Sequence, residues 1–200
     1  MYSRIRGYDN LKAAAETFFR KFGTWSYETW SELNQSFFGG ELEVGPIVWG
    51  LIPYGRYLGS YTLGGMNIIT LHTSLVSPST KAPWKISYLG KKFASDVLLH
   101  EMMHQHIFQK KLDGYKDETD HNNEAWCNEV NRVGFLLGLS MPKAKVVKQK
   151  RINRKVVWHV EPGCMSRKDC ASFPHRQRPE GYYEKHIPAD ILAKAIGSDE

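Results

Sequence analysis

The sequence predicts an α+β fold in which N-terminal helices precede a small three-stranded antiparallel sheet and a buried helix, followed by a basic extension. Apolar residues recur at helical spacing before residue 39 and again at about 91–110. Between these stretches, residues 42–71 form short runs of β-branched and aromatic residues separated by Gly and Pro. Helical periodicity on both sides of strand-like runs is typical of an α+β domain.

Two helices are expected before the sheet. The first is predicted at about 10–22, because apolar residues recur at three- and four-residue intervals and Gly23 follows as a stop signal. The second is predicted at about 26–38, where Trp30, Leu33 and Phe37 form an apolar stripe and a Gly pair ends the pattern.

Three strands in hairpin connection are predicted near 47–52, 57–61 and 67–71. Turn-forming residues separate them, including the pair Gly64-Gly65. We expect the strand edge at 57–61 to hold an extended peptide by backbone pairing.

The strongest helical segment lies at about 91–110 and is apolar nearly all round its middle. A helix without a polar face is typical of the centre of a domain. A further helix is predicted at about 122–137 and a strand at about 155–160.

Inside the buried helix, residues 100–104 read His-Glu-Met-Met-His. Histidines four residues apart project from one helical face about 6 Å apart along the axis, so both imidazoles can bind one ion. Glu101 lies one step around the helix, where its carboxylate can contact a water held by the metal. Chance gives about 0.02 such motifs in a chain of this composition. A metal site with His100 and His104 as ligands is therefore preferred over two histidines that are satisfied inside a core.

A catalytic zinc has three protein ligands and one open position, so a third ligand is needed. His121 and Glu124 follow His104 by 17 and 20 residues, and both spacings allow the chain to return to the helix. Imidazole and carboxylate are both ordinary zinc ligands, so spacing leaves either as the ligand and the other as its supporting group. His106 lies about 200° from His104 around the helix and is expected not to ligate. His72 is expected at the surface.

The positive charge belongs to the C-terminal part of the chain. Residues 1–140 carry 14 Lys and Arg and 14 Asp and Glu, whereas residues 141–200 carry 13 and 7. We therefore divide the chain into a domain at 1–140 and a basic extension at 141–200. The extension is typical of a solvated linker, but it can also attract the phosphates of DNA. Its candidate DNA-binding residues are Lys148, Lys150, Arg151, Arg154 and Lys155.

The extension also carries His159, Cys164, Cys170 and His175, a weak candidate for a second, structural zinc site because no paired C-x-x-C is present. Three cysteines without regular spacing cannot make a disulfide framework. No stretch approaches the roughly 18 apolar residues of a membrane helix, and the start lacks the apolar block of a secretory signal. We expect a cytoplasmic protein with no membrane partner.

Several motifs together resemble the SprT-like zinc metallopeptidase domain family, which includes the Spartan-related proteases of DNA–protein crosslink repair. The resemblance covers about 25–139, and the order of helix, strands and metal helix agrees throughout. It rests on Leu33-Asn34-Gln35-Ser36-Phe37-Phe38-Gly39-Gly40-Glu41-Leu42, on Ile47-Val48-Trp49, on the motif at 100–104 and on His121-Asn122-Asn123-Glu124.

The resemblance implies a zincin-like fold, zinc held by His100, His104 and His121, and Glu101 as catalytic acid and base. It also implies an endopeptidase that cleaves peptide bonds with metal-activated water and acts on proteins associated with or crosslinked to DNA. The sequence departs from the family in two ways: Asn122 stands where glycine commonly follows the third histidine, and the cysteine-rich zinc ribbon of many bacterial relatives is missing.

A different class of function stays open at this point. The alternative is a nucleic-acid-binding or regulatory module in which the zinc is structural or the peptidase activity is vestigial. The presence of Glu101 argues against it, because a purely structural site has no use for that carboxylate.

Overall fold

The computed structural model describes 11 stretches of the chain, and the structural statements below concern these residues alone: 7–50, 52, 57–62, 67–75, 90–112, 121–139, 143–146, 148–152, 155–159, 165 and 167–174. They contain helices and a small sheet, which confirms the α+β class. They group into two compact units, one ending at Gln105 and the other beginning at His106. None of the described helices has the length and apolar character needed to cross a bilayer.

The first unit begins with two helices, α1 (Tyr8–Phe19) and α2 (Lys21–Phe38). Arg20 separates them with a positive φ of 52°. The prediction that Gly23 ends the first helix is wrong, because Gly23 is a buried residue inside α2. A Cβ at this position would overlap the main chain of Ala15 in α1, so the glycine serves the close packing of the two helices.

Side chains of α2 fix the segment that leads into the sheet. Asn34 exchanges two hydrogen bonds with the main chain of Leu42, at 3.2 and 3.1 Å. The buried hydroxyl of Tyr27 donates to the carbonyl of Gly45 at 3.1 Å and accepts from the amide of Ile47 at 3.0 Å. These bonds satisfy main-chain groups that would otherwise be buried without partners.

The sheet contains β1 (Ile47–Gly50), β2 (Gly59–Thr62) and β3 (Ile68–His72) in the order β1-β3-β2. β2 pairs with β3 in antiparallel register, as predicted. The prediction of a fully antiparallel sheet is wrong, because β1 pairs with β3 in parallel. Residues 51–58 between β1 and β2 exceed the two to five residues of a usual hairpin loop, so β3 can lie between the two strands.

A 20-residue helix, α3 (Gly90–Gln109), matches the predicted buried segment. Residues 94–105 of this helix are all buried. Gln105 receives a hydrogen bond from the indole nitrogen of Trp30 in α2 at 3.2 Å and donates one to the carbonyl of Glu43 at 2.6 Å. These bonds tie α3 to α2 and to the segment before β1.

The second unit contains the end of α3, α4 (Glu124–Leu136), an antiparallel pair formed by β4 (Lys148–Ile152) and β5 (Lys155–His159), and α5 (Arg167–Ser172). Asn131 of α4 exchanges hydrogen bonds of 3.0 and 2.7 Å with the main chain of Ala144. The indole of Trp126 donates to the carbonyl of Cys170 at 3.3 Å. Parts of the predicted extension therefore contact α4, while the division at residue 140 stays a prediction.

Candidate metal centre

The buried part of α3 positions two imidazoles side by side. His100 and His104 are 7% and 5% exposed, and their Nε2 atoms lie 3.3 Å apart. Their rings meet edge to face, with centroids 5.1 Å apart. The four-residue spacing places them one above the other on one helical face. At this distance the two nitrogens share either a proton or a cation.

His121 is the third member of the group. One ring nitrogen from each of His100, His104 and His121 lies within 4.8 Å of the others, and His121 itself is half-buried. The His121 ring packs edge to face on the indole of Trp126, with centroids 4.6 Å apart. Asn123 caps α4 by accepting a hydrogen bond from the Trp126 amide at 2.8 Å. This cap and this ring contact hold His121 at the start of α4.

The geometry of the group fits a zinc ion. Two nitrogens bound at about 2.0–2.1 Å to one tetrahedral zinc lie about 3.3 Å apart, which is the separation of the His100 and His104 Nε2 atoms. The nitrogen of His121, within 4.8 Å of the others, would complete a three-imidazole set. Imidazole also suits copper, iron and nickel, so the donors indicate a transition metal without selecting one.

Glu101 lies beside this group with its side chain buried. It is 5% exposed, and burial raises the pKa of its carboxyl from 4.5 to about 8, partly opposed by a hydrogen bond from the main-chain amide of Tyr61 in β2. Burial in an apolar site disfavours the charged form of a carboxyl group. A carboxyl group that titrates close to neutral pH can both accept and donate a proton under ordinary conditions.

The other sequence candidates lie apart from the group. Glu124 is the first residue of α4, with an exposed side chain, and is not a member. His106 is also outside it, as predicted: its Nδ1 lies 2.9 Å from Oε1 of Glu129. The expectation that His72 lies at the surface is wrong, because it is 9% exposed and burial lowers its pKa. His72 ends the central strand, where neighbours on both sides shield it.

The candidate DNA-binding residues belong largely to one strand pair. Lys148, Lys150 and Arg151 lie in β4, Lys155 begins β5, and Arg154 falls outside the described residues. Of the possible second zinc site, Cys170 is a buried cysteine in α5 and His159 ends β5. Cys164 and His175 fall outside the described residues, so both predictions stay open.

Two features of the centre escaped the sequence analysis. Gln105, next to His104, anchors α3 through the two buried hydrogen bonds described above. β2 reaches Glu101 through the amide of Tyr61 and the bare α-carbon of Gly59. A glycine inside a strand does signal a close approach, but it does not identify the group that approaches.

The three imidazoles thus form one donor group, with His100 and His104 buried and His121 half-buried. Comparisons of the chain with models of protein families, with curated proteins and with solved structures find no match.

Proposed function

We propose that the chain is a zinc-dependent metalloendopeptidase of zincin-like architecture, related to the SprT-like domain. One observation carries the proposal: His100, His104 and His121 converge within 4.8 Å beside the buried carboxyl group of Glu101. Three imidazoles leave the fourth position of a tetrahedral ion open, as catalytic zinc sites do. The carboxylate is not needed to bind the metal and is available for proton transfer.

In the proposed mechanism, the three histidines bind the metal and Glu101 transfers protons. The three histidines would hold the ion, which would supply Lewis acidity and make water nucleophilic near neutral pH. Glu101 takes the proton of the attacking water and passes it to the departing amine of the cleaved peptide. A nearby divalent cation favours the ionised carboxylate and so lowers its raised pKa toward neutrality. This gives Glu101 the proton affinity that both steps require.

Metal analysis tests the ligand set. Purified protein should contain about one zinc per chain by plasma mass spectrometry. Replacement of any one of His100, His104 and His121 by Ala should lower this content to a small fraction. His106→Gln is the matched control, because His106 lies on the same helix but contacts Glu129. Retention of zinc by all three ligand variants would refute the site.

Cleavage of a dye-labelled unfolded protein, such as casein, tests the activity. Glu101→Gln should keep zinc and fold but lose at least about 100-fold in kcat, the usual contribution of a proton-transfer residue. The matched control is Glu16→Gln, an exposed carboxylate on α1. Equal cleavage by wild type and Glu101→Gln contradicts the mechanism. A zinc-loaded wild type without cleavage instead supports the alternative of structural zinc or vestigial activity.

A second candidate property is binding to DNA, which would bring the enzyme to DNA-associated proteins. The observation that favours it is the antiparallel pairing of β4 with β5, because these two strands together contain four of the candidate basic residues. Cations that neutralise phosphates release counterions, so affinity falls steeply with salt. The combination with a peptidase is what the resemblance to the SprT-like family implies.

Fluorescence anisotropy with single-stranded DNA tests this property. Removal of residues 141–200 would also remove hydrogen-bond partners of α4, so charge-neutralising variants of the full chain are preferable. Four Gln substitutions should weaken binding at least about 10-fold at low salt and flatten its salt dependence. They are placed at Lys148, Lys150, Arg151 and Lys155. The control variant carries Gln at four lysines of residues 1–140, namely Lys12, Lys21, Lys110 and Lys111. The proposal requires that this control lose less affinity for DNA than the variant of β4 and β5.

A further inference from the structure

β2 approaches the proposed proton-transfer residue through a glycine. A Cβ added to Gly59 would lie 2.6 Å from Oε1 of Glu101, 2.9 Å from its Cγ and 2.7 Å from Cγ1 of Val97. Real Cβ atoms do not approach other heavy atoms so closely. Any side chain at residue 59 would therefore displace either the strand or the side chains of both Glu101 and Val97.

The backbone conformation does not explain the glycine. Its φ lies outside the left-handed range that favours glycine, so another residue could adopt the same main-chain geometry. Nor does strand position in general require glycine. Among the residues that the structure describes, none has an atom within 4 Å of a Cβ added to Gly50 in β1. The requirement at residue 59 comes from its closeness to Glu101 and Val97.

The register of the sheet directs the main-chain amide of Tyr61 in β2 toward the same carboxyl group of Glu101. The amide of His72 donates to the carbonyl of Leu58 at 2.8 Å, so Leu58 and His72 form a hydrogen-bonded pair of the antiparallel ladder. Hydrogen-bonded positions alternate along such a ladder. The amide of Tyr61 therefore points away from β3, and it donates to Glu101.

We propose that β2 positions the carboxyl group of Glu101 for proton transfer, with the Tyr61 amide as the orienting donor and Gly59 as the residue that keeps the approach open. Gly59 is a positioning residue, since it acts only through Glu101. The inference rests on the proposed peptidase function for its kinetic consequence, but the contact itself is independent of that function. A carboxyl group fixed by a main-chain donor needs no reorganisation at the moment of reaction.

Gly59→Ala tests the kinetic consequence, with Gly50→Ala as the matched control. We expect the Gly59 variant to keep stoichiometric zinc and a KM within about threefold, while kcat falls on the order of 100-fold, as displacements of about 1 Å commonly cause. The Gly50 variant should keep kcat within about threefold. A kcat loss of less than threefold in Gly59→Ala would overturn the proposal, as would an equal loss in both variants.

A more selective change replaces the Tyr61 amide by an ester, which removes the donor and keeps the side chain. The amide is not part of the β2–β3 ladder, so the sheet should survive. We expect kcat to fall at least about 10-fold with zinc retained. An unchanged kcat in the ester would show that the amide does not orient the carboxyl group.

A double-mutant cycle on unfolding tests the contact without any activity. Gly59→Ala should lower the folding equilibrium constant of the full chain at least about 10-fold. In the Glu101→Ala background the loss should be at least threefold smaller, because two of the three crowding atoms are gone. Equal losses in both backgrounds would refute the contact. Coupling in a protein that cleaves nothing would keep the contact and reject the peptidase.

Discussion

Replacement of Glu101 by Gln should stabilise the metal-free protein, and increasingly so as the pH rises. Burial raises the pKa of this carboxyl group from 4.5 to about 8. At 1.36 kcal/mol for each pH unit, ionisation of the folded protein costs on the order of 5 kcal/mol. Between about pH 4.5 and pH 8, the folded state therefore holds a proton that the unfolded state has already lost. Wild-type stability therefore falls as the pH rises through this window. Glutamine keeps nearly the same shape and carries no such penalty.

Urea unfolding of the metal-free proteins at pH 5 and pH 8.5 measures this effect. At pH 5 both residue types are neutral in the folded state, so the variants should differ by about 1 kcal/mol or less. At pH 8.5 Glu101→Gln should be more stable than wild type by several kcal/mol. Glu16→Gln controls for a charge change at an exposed site. Parallel pH profiles of wild type and Glu101→Gln would refute the argument that burial disfavours the carboxylate.

Two further predictions concern the buried polar bonds around the centre. Gln105→Leu removes the hydrogen-bond partner that Gln105 provides to the indole nitrogen of Trp30 and to the carbonyl of Glu43. This variant should lower the free energy of unfolding, measured with urea, by about 3 kcal/mol. In the Trp30→Phe background the same substitution should cause a smaller loss. Burial alone would raise the pKa of Glu129, but hydrogen bonds from Arg132 and His106 outweigh it and lower the pKa. The ionised Glu129 thus stabilises the fold above its ordinary pKa, and this contribution is lost as the pH falls through its lowered value. Glu129→Gln should lower the free energy of unfolding by about 2 kcal/mol at pH 7, a modest loss because solvent screens the half-exposed Arg132. The loss should be smaller at pH 3. An equal loss at both pH values would contradict the assignment.

The four longer helices of the fold could be predicted from the sequence because their signals are local, whereas the six-residue α5 was not predicted. Apolar periodicity placed α3 and α4 within about two residues of their observed bounds. Gly23 shows where local rules fail. Glycine is a common helix stop, but here it lies inside α2, since only a bare α-carbon fits against Ala15. That requirement comes from a residue on another helix and leaves no mark in the local pattern.

Strand pairing was harder to predict for a related reason. Each strand of the three-stranded sheet was located within about two residues, whereas β4 was not predicted. Alternation and turn residues do not say which strands are neighbours. The insertion of β3 between β1 and β2 makes the sheet mixed. The predicted bounds left only residues 53–56 between the first two strands, a length that fits a hairpin loop, so nothing in the sequence indicated the insertion. The burial of His72 follows from this order, because it makes β3 the central strand.

Some features of the candidate metal centre follow from local sequence, and others depend on contacts between residues far apart in the chain. The adjacency of His100 and His104 follows from the four-residue helical spacing, whereas the convergence of His121 depends on the fold. Spacing left His121 and Glu124 as equal candidates, and the structure brings the imidazole to the group while the carboxylate of Glu124 is exposed. The hydrogen bond from Tyr61 to Glu101 depends on sheet register. Its donor is a main-chain group that every residue except proline possesses, so no side-chain pattern could reveal it.

The arrangement around Glu101 is costly for the metal-free fold, and this cost connects stability with function. Without a metal, the buried carboxyl group of Glu101 is tolerated because burial raises its pKa and keeps it protonated near neutral pH. A divalent cation that binds the folded state removes this constraint, since it favours deprotonated imidazole nitrogens and an ionised neighbour. It also stabilises the fold in proportion to the logarithm of its concentration relative to Kd. Removal of the cation should therefore affect residues 100–104 of α3 first, because two of its three proposed ligands lie in that segment.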